Sequence, residues 1–231
     1  MAIWGTPEAP NKVPDVARKP IQGKPIMQPA TSDDFNTPTL GLQWQWNHNP
    51  DDSRWSLTER PGFLRLKPTP APDFWSARNT LVQKGQGPWS RGEVKLDVSH
   101  LKPGGICGFG TLGKYNGHIA VNYGSDGKLF VSMDVIQDTG KERRTETRVA
   151  SEPLTAKDIF LRTDLDSERK KAACAYSLDG TTWTALGGEF EAVYDWRTGT
   201  FQGPQYAIFC YNPNPGDGFV DVDSFRFSDK E

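Results

Sequence analysis

Aromatic residues that stand beside arginine, asparagine and glutamine are the residues of this sequence that could do chemistry. They lie in the segments DFWSARNTLVQK, GPWS, GKYNGHIAV and DWRTGTFQGPQ. A sugar ring needs a flat apolar surface for its face and directional donors and acceptors for its hydroxyls, and this mixture supplies both. The alternative is that each aromatic side chain fills a core. The residues that carry the sugar hypothesis in these segments include Trp75 with Arg78, Trp89, and Tyr115 with His118.

A second group is acidic and lies near the two ends of the chain. TSDDFN and DVDSFRF each place aspartates beside an aromatic residue. The first and last strands of a β-sandwich often pair, so Asp33 or Asp34 could approach Asp221 or Asp223. Carboxylates together with a backbone carbonyl from a turn such as RPGF would suit calcium. The alternative is that these carboxylates only cap strand ends in solvent.

Other chemistries find little support in the sequence. The histidines, His48, His100 and His118, stand in separate segments, and neither a G-x-S-x-G nor an H-E-x-x-H motif occurs. We expect no complete active site in this chain. The number of carboxylates does not decide the question, because a carboxylate pair for sugar hydrolysis is defined by its separation in space. The net charge is -2, and the sequence shows no basic stripe of the kind that binds nucleic acid. No apolar run is long enough to span a membrane, and no signal-peptide core is present.

Short alternating segments fill most of the 231 residues and predict the fold. Runs such as EVKLDVS, HIAVNY, IFLRTDLD and QYAIFCYN are typical of strands, and the Asp-Gly pairs in SDG and LDGTTW predict hairpin turns between them. We therefore predict an all-β protein, a two-sheet antiparallel sandwich over residues 31–231. The proline-rich residues 1–30 are predicted to be a linker or an extended arm. Trp44 and Trp46, in LGLQWQW, share a strand face, which we interpret as packed because Leu40 and Leu42 have the same parity.

Several segments taken together resemble the C-terminal β-sandwich of glycoside hydrolase family 43 enzymes, the β-xylosidase and α-L-arabinofuranosidase group. They are KPIQGKPIMQPATSDDFNTPTLGLQWQWNHNPDDSRWSLTERPGFLRL, ARNTLVQKGQGP, YSLDGTTWTALG, DWRTGTFQGPQYAIFCYN and VDVDSFRF. The resemblance implies a concanavalin A-like jelly roll, with the catalytic residues in a separate five-bladed propeller. It also implies a structural calcium ion held by Asp34, the carbonyl of Gly62, and Asp223.

These observations lead to two alternative functions. The first is a non-catalytic module of a secreted or periplasmic hemicellulose-degrading enzyme, which binds xylan- or arabinoxylan-type glycans on a concave sheet face. The residues expected to line that face are Trp75, Arg78, Tyr115, His118 and Gln202. The second is a structural domain that packs on the catalytic propeller and completes its pocket without binding sugar itself. Neither function involves nucleic acid or a membrane.

Overall fold

Alternating buried and exposed residues build this protein from strands. The computed structural model describes residues 23, 29–113, 115–137, 145–193 and 202–229. In β6 every second residue is buried, as expected for a sheet with one face on a core. A 3-10 helix occupies Asp52–Arg54. The strands are β1 (Gln45–Trp46), β2 (Trp55–Ser56), β3 (Leu64–Leu66), β4 (Thr69–Pro70), β5 (Leu81–Lys84), β6 (Trp89–Asp97), β7 (Ile106–Leu112), β8 (Asn116–Tyr123), β9 (Leu129–Gln137), β10 (Thr145–Leu154), β11 (Asp158–Asp166), β12 (Lys171–Ser177), β13 (Thr184–Glu191), β14 (Gln205–Asn212) and β15 (Val220–Ser228).

These strands form two sheets, as the sequence predicts. The eight-stranded sheet has the order β1-β5-β14-β7-β8-β9-β10, and β4 pairs with β14 in parallel. The seven-stranded sheet has the order β13-β12-β11-β6-β15-β3-β2. All the other pairings among the described residues are antiparallel. The predicted all-β, two-sheet sandwich is confirmed. No helix among the described residues has the length and apolar character that crossing a membrane requires.

The main core lies between the two sheets. Its fully buried members include Phe109, Tyr206 and Phe225, whose rings pack on one another with centroids 5.7 to 6.2 Å apart. Trp44 is buried in the same core, and Trp46 packs against it half-buried. The interpretation of this tryptophan pair as packing residues is confirmed.

Leu42 contradicts the parity argument that accompanied that interpretation. Leu40 packs against the core, but the side chain of Leu42 is fully exposed. A hydrogen bond from the Trp44 amide to the Gly41 carbonyl, 3.2 Å long, closes a turn at this point. The regular alternation of an extended strand therefore does not hold through Leu42.

A second apolar layer covers the outer face of the eight-stranded sheet. Every residue of β14 is buried, which requires cover on both of its faces. The cover comes from residues 71–80, here called the covering segment, in which Phe74 and Ala77 are completely buried. Phe74 packs on Phe209 at 4.4 Å between ring centroids. The members of this second cluster are Ala71, Phe74, Ala77, Val82, Leu112, Ala120, Ala207, Phe209 and Tyr211.

The outer face of the seven-stranded sheet carries paired charges instead. Asp221 on β15 is only 1% exposed. It accepts hydrogen bonds from Arg65 Nε at 2.7 Å, Arg65 Nη2 at 2.8 Å and Arg60 Nη1 at 2.9 Å. The Arg60 guanidinium lies 3.6 Å from the ring centroid of Phe63, and that of Arg65 lies 3.8 Å from the ring centroid of Phe219. This arrangement neutralises a buried carboxylate and holds both arginines in place.

The beginning and the end of the described sandwich are joined. Asp33 and Phe225 exchange two backbone hydrogen bonds, of 2.9 and 2.8 Å. Asp33 Oδ2 also accepts a hydrogen bond from Trp44 Nε1 at 2.8 Å, which anchors the entering chain to the core. The prediction of an extended arm for residues 1–30 concerns residues that lie mostly outside the described part of the chain.

Candidate functional site

Register on the eight-stranded sheet brings distant residues into rows across its outer face. A row is a set of residues that lie directly opposite one another on successive strands. One row, here called the His118 row, contains Val82, Ala207, Gly110, His118, Asp134 and Arg148. A parallel row four residues away along the strands, here called the Tyr211 row, contains Tyr211, Ile106, Asn122 and Phe130. Polar residues of these rows and aromatic residues of the covering segment share this face.

Glycines on β7 make room for this arrangement. A Cβ atom on Gly108 would lie 2.3 Å from the carbonyl oxygen of Ile119 and 2.9 Å from Cζ of Phe209. One on Gly110 would lie 2.5 Å from the Cβ of His118. Most of the glycine-rich segment GGICGFGTLGK is therefore a strand that the neighbouring backbone approaches closely.

His118 lies at the centre of the outer face and is almost completely buried. Its ring packs between Phe74, at 4.7 Å between centroids, and Phe209, at 5.0 Å. Its Nε2 lies 3.0 Å from Oε1 of Glu146, a residue of β10 that remains partly exposed. Its Nδ1 is buried without a hydrogen-bond partner among the described residues. The histidine therefore orients Glu146 but does not itself reach solvent.

A continuous polar network lies beside this pair. Asp134 accepts hydrogen bonds from Ser132 Oγ at 2.6 Å and from Arg148 Nε at 3.0 Å. Asn122 donates to Ser132 Oγ at 2.9 Å and accepts from Arg148 Nη2 at 3.1 Å. The side chain of Arg148 is 42% exposed, whereas Asp134, Asn122 and Ser132 are buried beneath it. Arg148 is therefore the group through which this network meets solvent, and its position is fixed from below.

Tyr211 adds a neutral hydroxyl to the same surface. Burial raises the pKa of this tyrosine, and the nearby carboxylates of Glu146 and Asp134 raise the pKa further. The phenol therefore stays protonated and can donate a hydrogen bond at any physiological pH. Together with the half-buried Trp75, the surface offers an aromatic face, a guanidinium donor and carboxylate acceptors. This combination can hold a polyhydroxylated ring.

The five predicted sugar-binding residues do not form one group. His118 is at the centre of the outer face, and Trp75 lies on the covering segment, where it packs half-buried against the second apolar cluster. Arg78 is exposed near the Tyr211 row, and its guanidinium donates to the carbonyl of Asn49 at 2.7 and 3.1 Å.

Tyr115 and Gln202 lie at the opposite end of the sheet. They precede β8 and β14, where Asn116 and Gln205 begin their strands. The row of Gln205 and the Tyr211 row are six residues apart on β14, or about 20 Å at the usual rise per residue. One small sugar cannot contact both ends, so the predicted set would need a long ligand.

The predicted calcium ligands are each engaged in other contacts. Asp34 forms an ion pair with Arg226, and Asp223 forms one with Lys95 at 2.5 Å. Gly62 lies in a left-handed turn, at φ +83°, next to Asn36. The described residues contain no group of three or more His, Cys, Asp or Glu side chains placed to hold a metal ion. Carboxylates already neutralised by cationic side chains do not fit a calcium site as they stand, and calcium binding stays a prediction.

The sequence reasoning missed most of the polar groups on the outer face. Asp134 lies on β9, and Glu146 and Arg148 lie on β10, and none of the three was a candidate by residue type or motif. Phe74 packs on His118, but the sequence analysis selected its neighbour Trp75 from this segment. The available signal was the alternation Ser132, Asp134 along β9, which puts polar side chains on the face opposite the core.

The fold and this face define a concanavalin A-like domain made of two antiparallel sheets. Residues 32–228 match the family model of the beta xylosidase C-terminal concanavalin A-like domain. The chain therefore belongs to that family, the C-terminal domain of glycoside hydrolase family 43 enzymes, and the resemblance identified from the sequence is confirmed.

Individual relatives agree with this membership. A beta-xylosidase of Formosa agariphila is 34% identical over 91% of this chain, which spans 37% of that enzyme. A structure described as a bifunctional GH43-CE from Bacteroides eggerthii shares 34% identity, with a TM-score of 0.77, over 96% of this chain and 28% of its own. A family 43 glycoside hydrolase engineered to display both endo-xylanase and exo-arabinofuranosidase activity has a TM-score of 0.82 at 27% identity, over 92% of this chain and 44% of its own. The chain thus spans less than half the length of these relatives.

Proposed function

We propose that this chain is a non-catalytic accessory module that binds xylan- or arabinoxylan-type glycans on the outer face of its eight-stranded sheet. The observation that carries the proposal is Arg148, which is exposed to solvent and fixed by Asp134 and Asn122 below it. A donor held in this way loses little freedom when it binds a hydroxyl. The relatives named for xylosidase and xylanase activities support the choice of glycan.

The proposed site is smaller than the one expected from the sequence. It consists of Trp75 as the stacking surface, Arg148 as the donor, and Glu146 and Tyr211 as polar partners. A site of this size contacts two or three sugar units, so the affinity is expected to be weak after the cost of association. The parent protein is proposed to be a secreted or periplasmic enzyme that carries its catalytic residues in a separate propeller domain.

Calorimetric titration with xylo-, arabino- and cello-oligosaccharides tests the proposal. We expect heat with xylo- or arabino-oligosaccharides, and a loss of about tenfold in affinity for Arg148→Gln, since a charge-assisted hydrogen bond disappears. Trp75→Ala is expected to weaken binding similarly. Leu178→Ser is the matched control, because Leu178 is exposed between β12 and β13 of the other sheet. Unchanged affinity in both site variants would refute this location.

One observation favours the alternative, a structural domain that packs on a catalytic domain. Leu42 is a fully exposed leucine, and burial against a neighbouring domain would remove its apolar side chain from water. Absence of heat with every sugar would favour this function. Reduced activity or stability of the whole enzyme carrying Leu42→Ser, with an unchanged isolated domain, would then support it.

A further inference from the structure

A second candidate site lies on the other sheet. A cavity of about 200 Å³ opens on the outer face of the seven-stranded sheet near the β11–β12 turn. Its volume is below the roughly 300–1,000 Å³ of pockets for drug-sized ligands. The size therefore suits one small ring. The side chains that define its chemistry are Trp89, Asp164, Asp166, Arg169, Lys171 and Glu189.

Strand register aligns an aromatic ring, an acceptor and a donor in this cavity. Asp166 on β11 lies directly opposite Trp89 on β6 and opposite Lys171 on β12. Residues directly opposite in antiparallel strands have Cα atoms about 4.5–5.5 Å apart. Ala173 lies opposite Asp164 on the same face, and its short side chain leaves the depression that the cavity occupies.

Two groups of this row keep hydrogen-bonding capacity within the described residues. Asp166 Oδ1 accepts from the backbone amide of Arg169 at 2.8 Å, but Oδ2 lies 3.9 Å from Arg169 Nη1, too far for a hydrogen bond. Lys171 Nζ lies 4.0 Å from Glu191 Oε1, which is also too far. An acceptor and a donor therefore face the cavity side by side.

The remaining walls are already paired. Arg169 donates to both carboxylate oxygens of Glu189, at 2.8 and 2.9 Å. Arg91 donates to both oxygens of Asp164, at 2.5 and 3.0 Å, and its guanidinium lies 5.2 Å from the ring centroid of Trp89. These contacts hold the indole in place from one side.

Charge indicates what kind of molecule the cavity accepts. The carboxylates of Asp164, Asp166 and Glu189 are matched by the cationic groups of Arg91, Arg169 and Lys171. The lining itself carries three carboxylates and two cationic groups, and Arg91 and Arg162 beside Asp164 offset the difference. Positive and negative groups therefore nearly balance, which favours a neutral ligand. A neutral ring with an apolar edge or face for Trp89 and adjacent hydroxyls for Asp166 and Lys171 satisfies all three groups.

We propose that this cavity binds a single neutral sugar ring and is a second glycan contact, independent of the outer face of the eight-stranded sheet. The sugar lies against Trp89, one hydroxyl donates to Asp166 Oδ2, and a neighbouring hydroxyl accepts from Lys171 Nζ. With one ring and two directional contacts, the affinity is in the millimolar range.

Heteronuclear NMR of isotope-labelled protein tests this proposal through the indole N–H signals. The Trp89 signal is assigned as the one lost in Trp89→Phe. Methyl β-D-xylopyranoside, methyl α-L-arabinofuranoside and D-glucuronate are then titrated separately. We expect a saturable shift of the Trp89 signal with at least one neutral glycoside. Asp166→Asn is expected to weaken binding about tenfold, and Ala173→Leu to abolish it by filling the cavity.

Three results would overturn the proposal. An unmoved Trp89 signal, a shift that persists equally in Ala173→Leu, or a shift with glucuronate alone would contradict a site for a neutral ring. Thermal unfolding of each variant verifies that it is folded. Trp75→Ala serves as the matched control and is expected to leave the Trp89 shift unchanged. Failure at this cavity therefore leaves the calorimetric test of the first site unaffected, and the reverse also holds.

Discussion

Replacing Asp221 with asparagine is expected to destabilise the domain strongly. The carboxylate is 1% exposed and accepts two hydrogen bonds from Arg65 and one from Arg60. Asp221→Asn removes the charge and turns an amide group toward the guanidiniums. Breaking a buried ion pair costs about 3–5 kcal/mol. Because the side chains of Arg65 and Arg60 are 16% and 38% exposed, they regain some hydration, and we expect the lower figure of about 3 kcal/mol.

Asp223→Asn, two residues along the same strand, is the matched control. The side chain of Asp223 is 32% exposed and pairs with Lys95, so its loss is expected to cost about 0–1 kcal/mol. Urea unfolding followed by tryptophan fluorescence measures both variants. At roughly 2–4 °C per kcal/mol for a domain of this size, Asp221→Asn is expected to lower Tm by about 6–12 °C. Equal costs for the two variants would refute the argument from burial.

The same pair of variants tests the predicted calcium ion. If calcium contributes through Asp34, Gly62 and Asp223, added chelator lowers the Tm of the wild-type domain and leaves that of Asp223→Asn almost unchanged. The ion pairs of Asp34 with Arg226 and of Asp223 with Lys95 favour the opposite result, a Tm that does not respond to calcium or chelator. A clear response would show that these pairs rearrange to admit the ion.

Three further predictions concern packing, pH and thiol chemistry. Phe74→Ala is expected to cost about 3–5 kcal/mol in urea unfolding, as for other buried phenylalanines, and a cost below 1 kcal/mol would show that the covering segment is dispensable. Backbone amides of Thr182 and Thr181 hold the pKa of Asp179 well below its usual range. At neutral pH the wild type is therefore expected to be more stable than Asp179→Ala. This difference in unfolding free energy is expected to shrink below about pH 4 and to vanish as pH falls through the folded pKa of Asp179. A difference that grows in acid contradicts this. Burial raises the pKa of the Cys174 thiol to about 12, so a thiol reagent at neutral pH is expected to label it only after unfolding, and rapid labelling of the native protein would refute that.

The long strands could be predicted from the sequence because each has one face on a core. The predicted strand QYAIFCYN coincides with β14, and the turns at SDG and LDGTTW join β8 to β9 and β12 to β13. The strands β1, β2 and β4 contain only two residues each, too few for any period to show. They form because longer neighbouring strands offer free backbone hydrogen-bonding groups at their edges. The residues that form those edges lie elsewhere in the chain, so the short segments themselves do not show the pairing.

The candidate site could not be predicted because register, more than residue type, assembles it. Glu146 lies near His118 across β9, and a bulge just after the site residues, between Arg148 and Ala150, shifts the pairing of the rest of β10. A register change of one residue would turn every side chain of β10 to the other face. The sequence identified His118 and Trp75 by type, but it also selected Gln202, which precedes β14 at the end of the sheet away from the Tyr211 row.

The hydrogen bonds between Asp33 and Phe225 have a consequence for how this unit can be combined with others. They place the entry and the exit of the sandwich side by side. A unit of this kind can be inserted into a surface loop of a host protein without stretching the host backbone, because the loop has only a short gap to bridge. For the same reason, a short linker could join the two ends and new termini could be opened at the exposed turn of residues 125–127. The topology therefore makes the domain suitable for transplantation and for circular permutation.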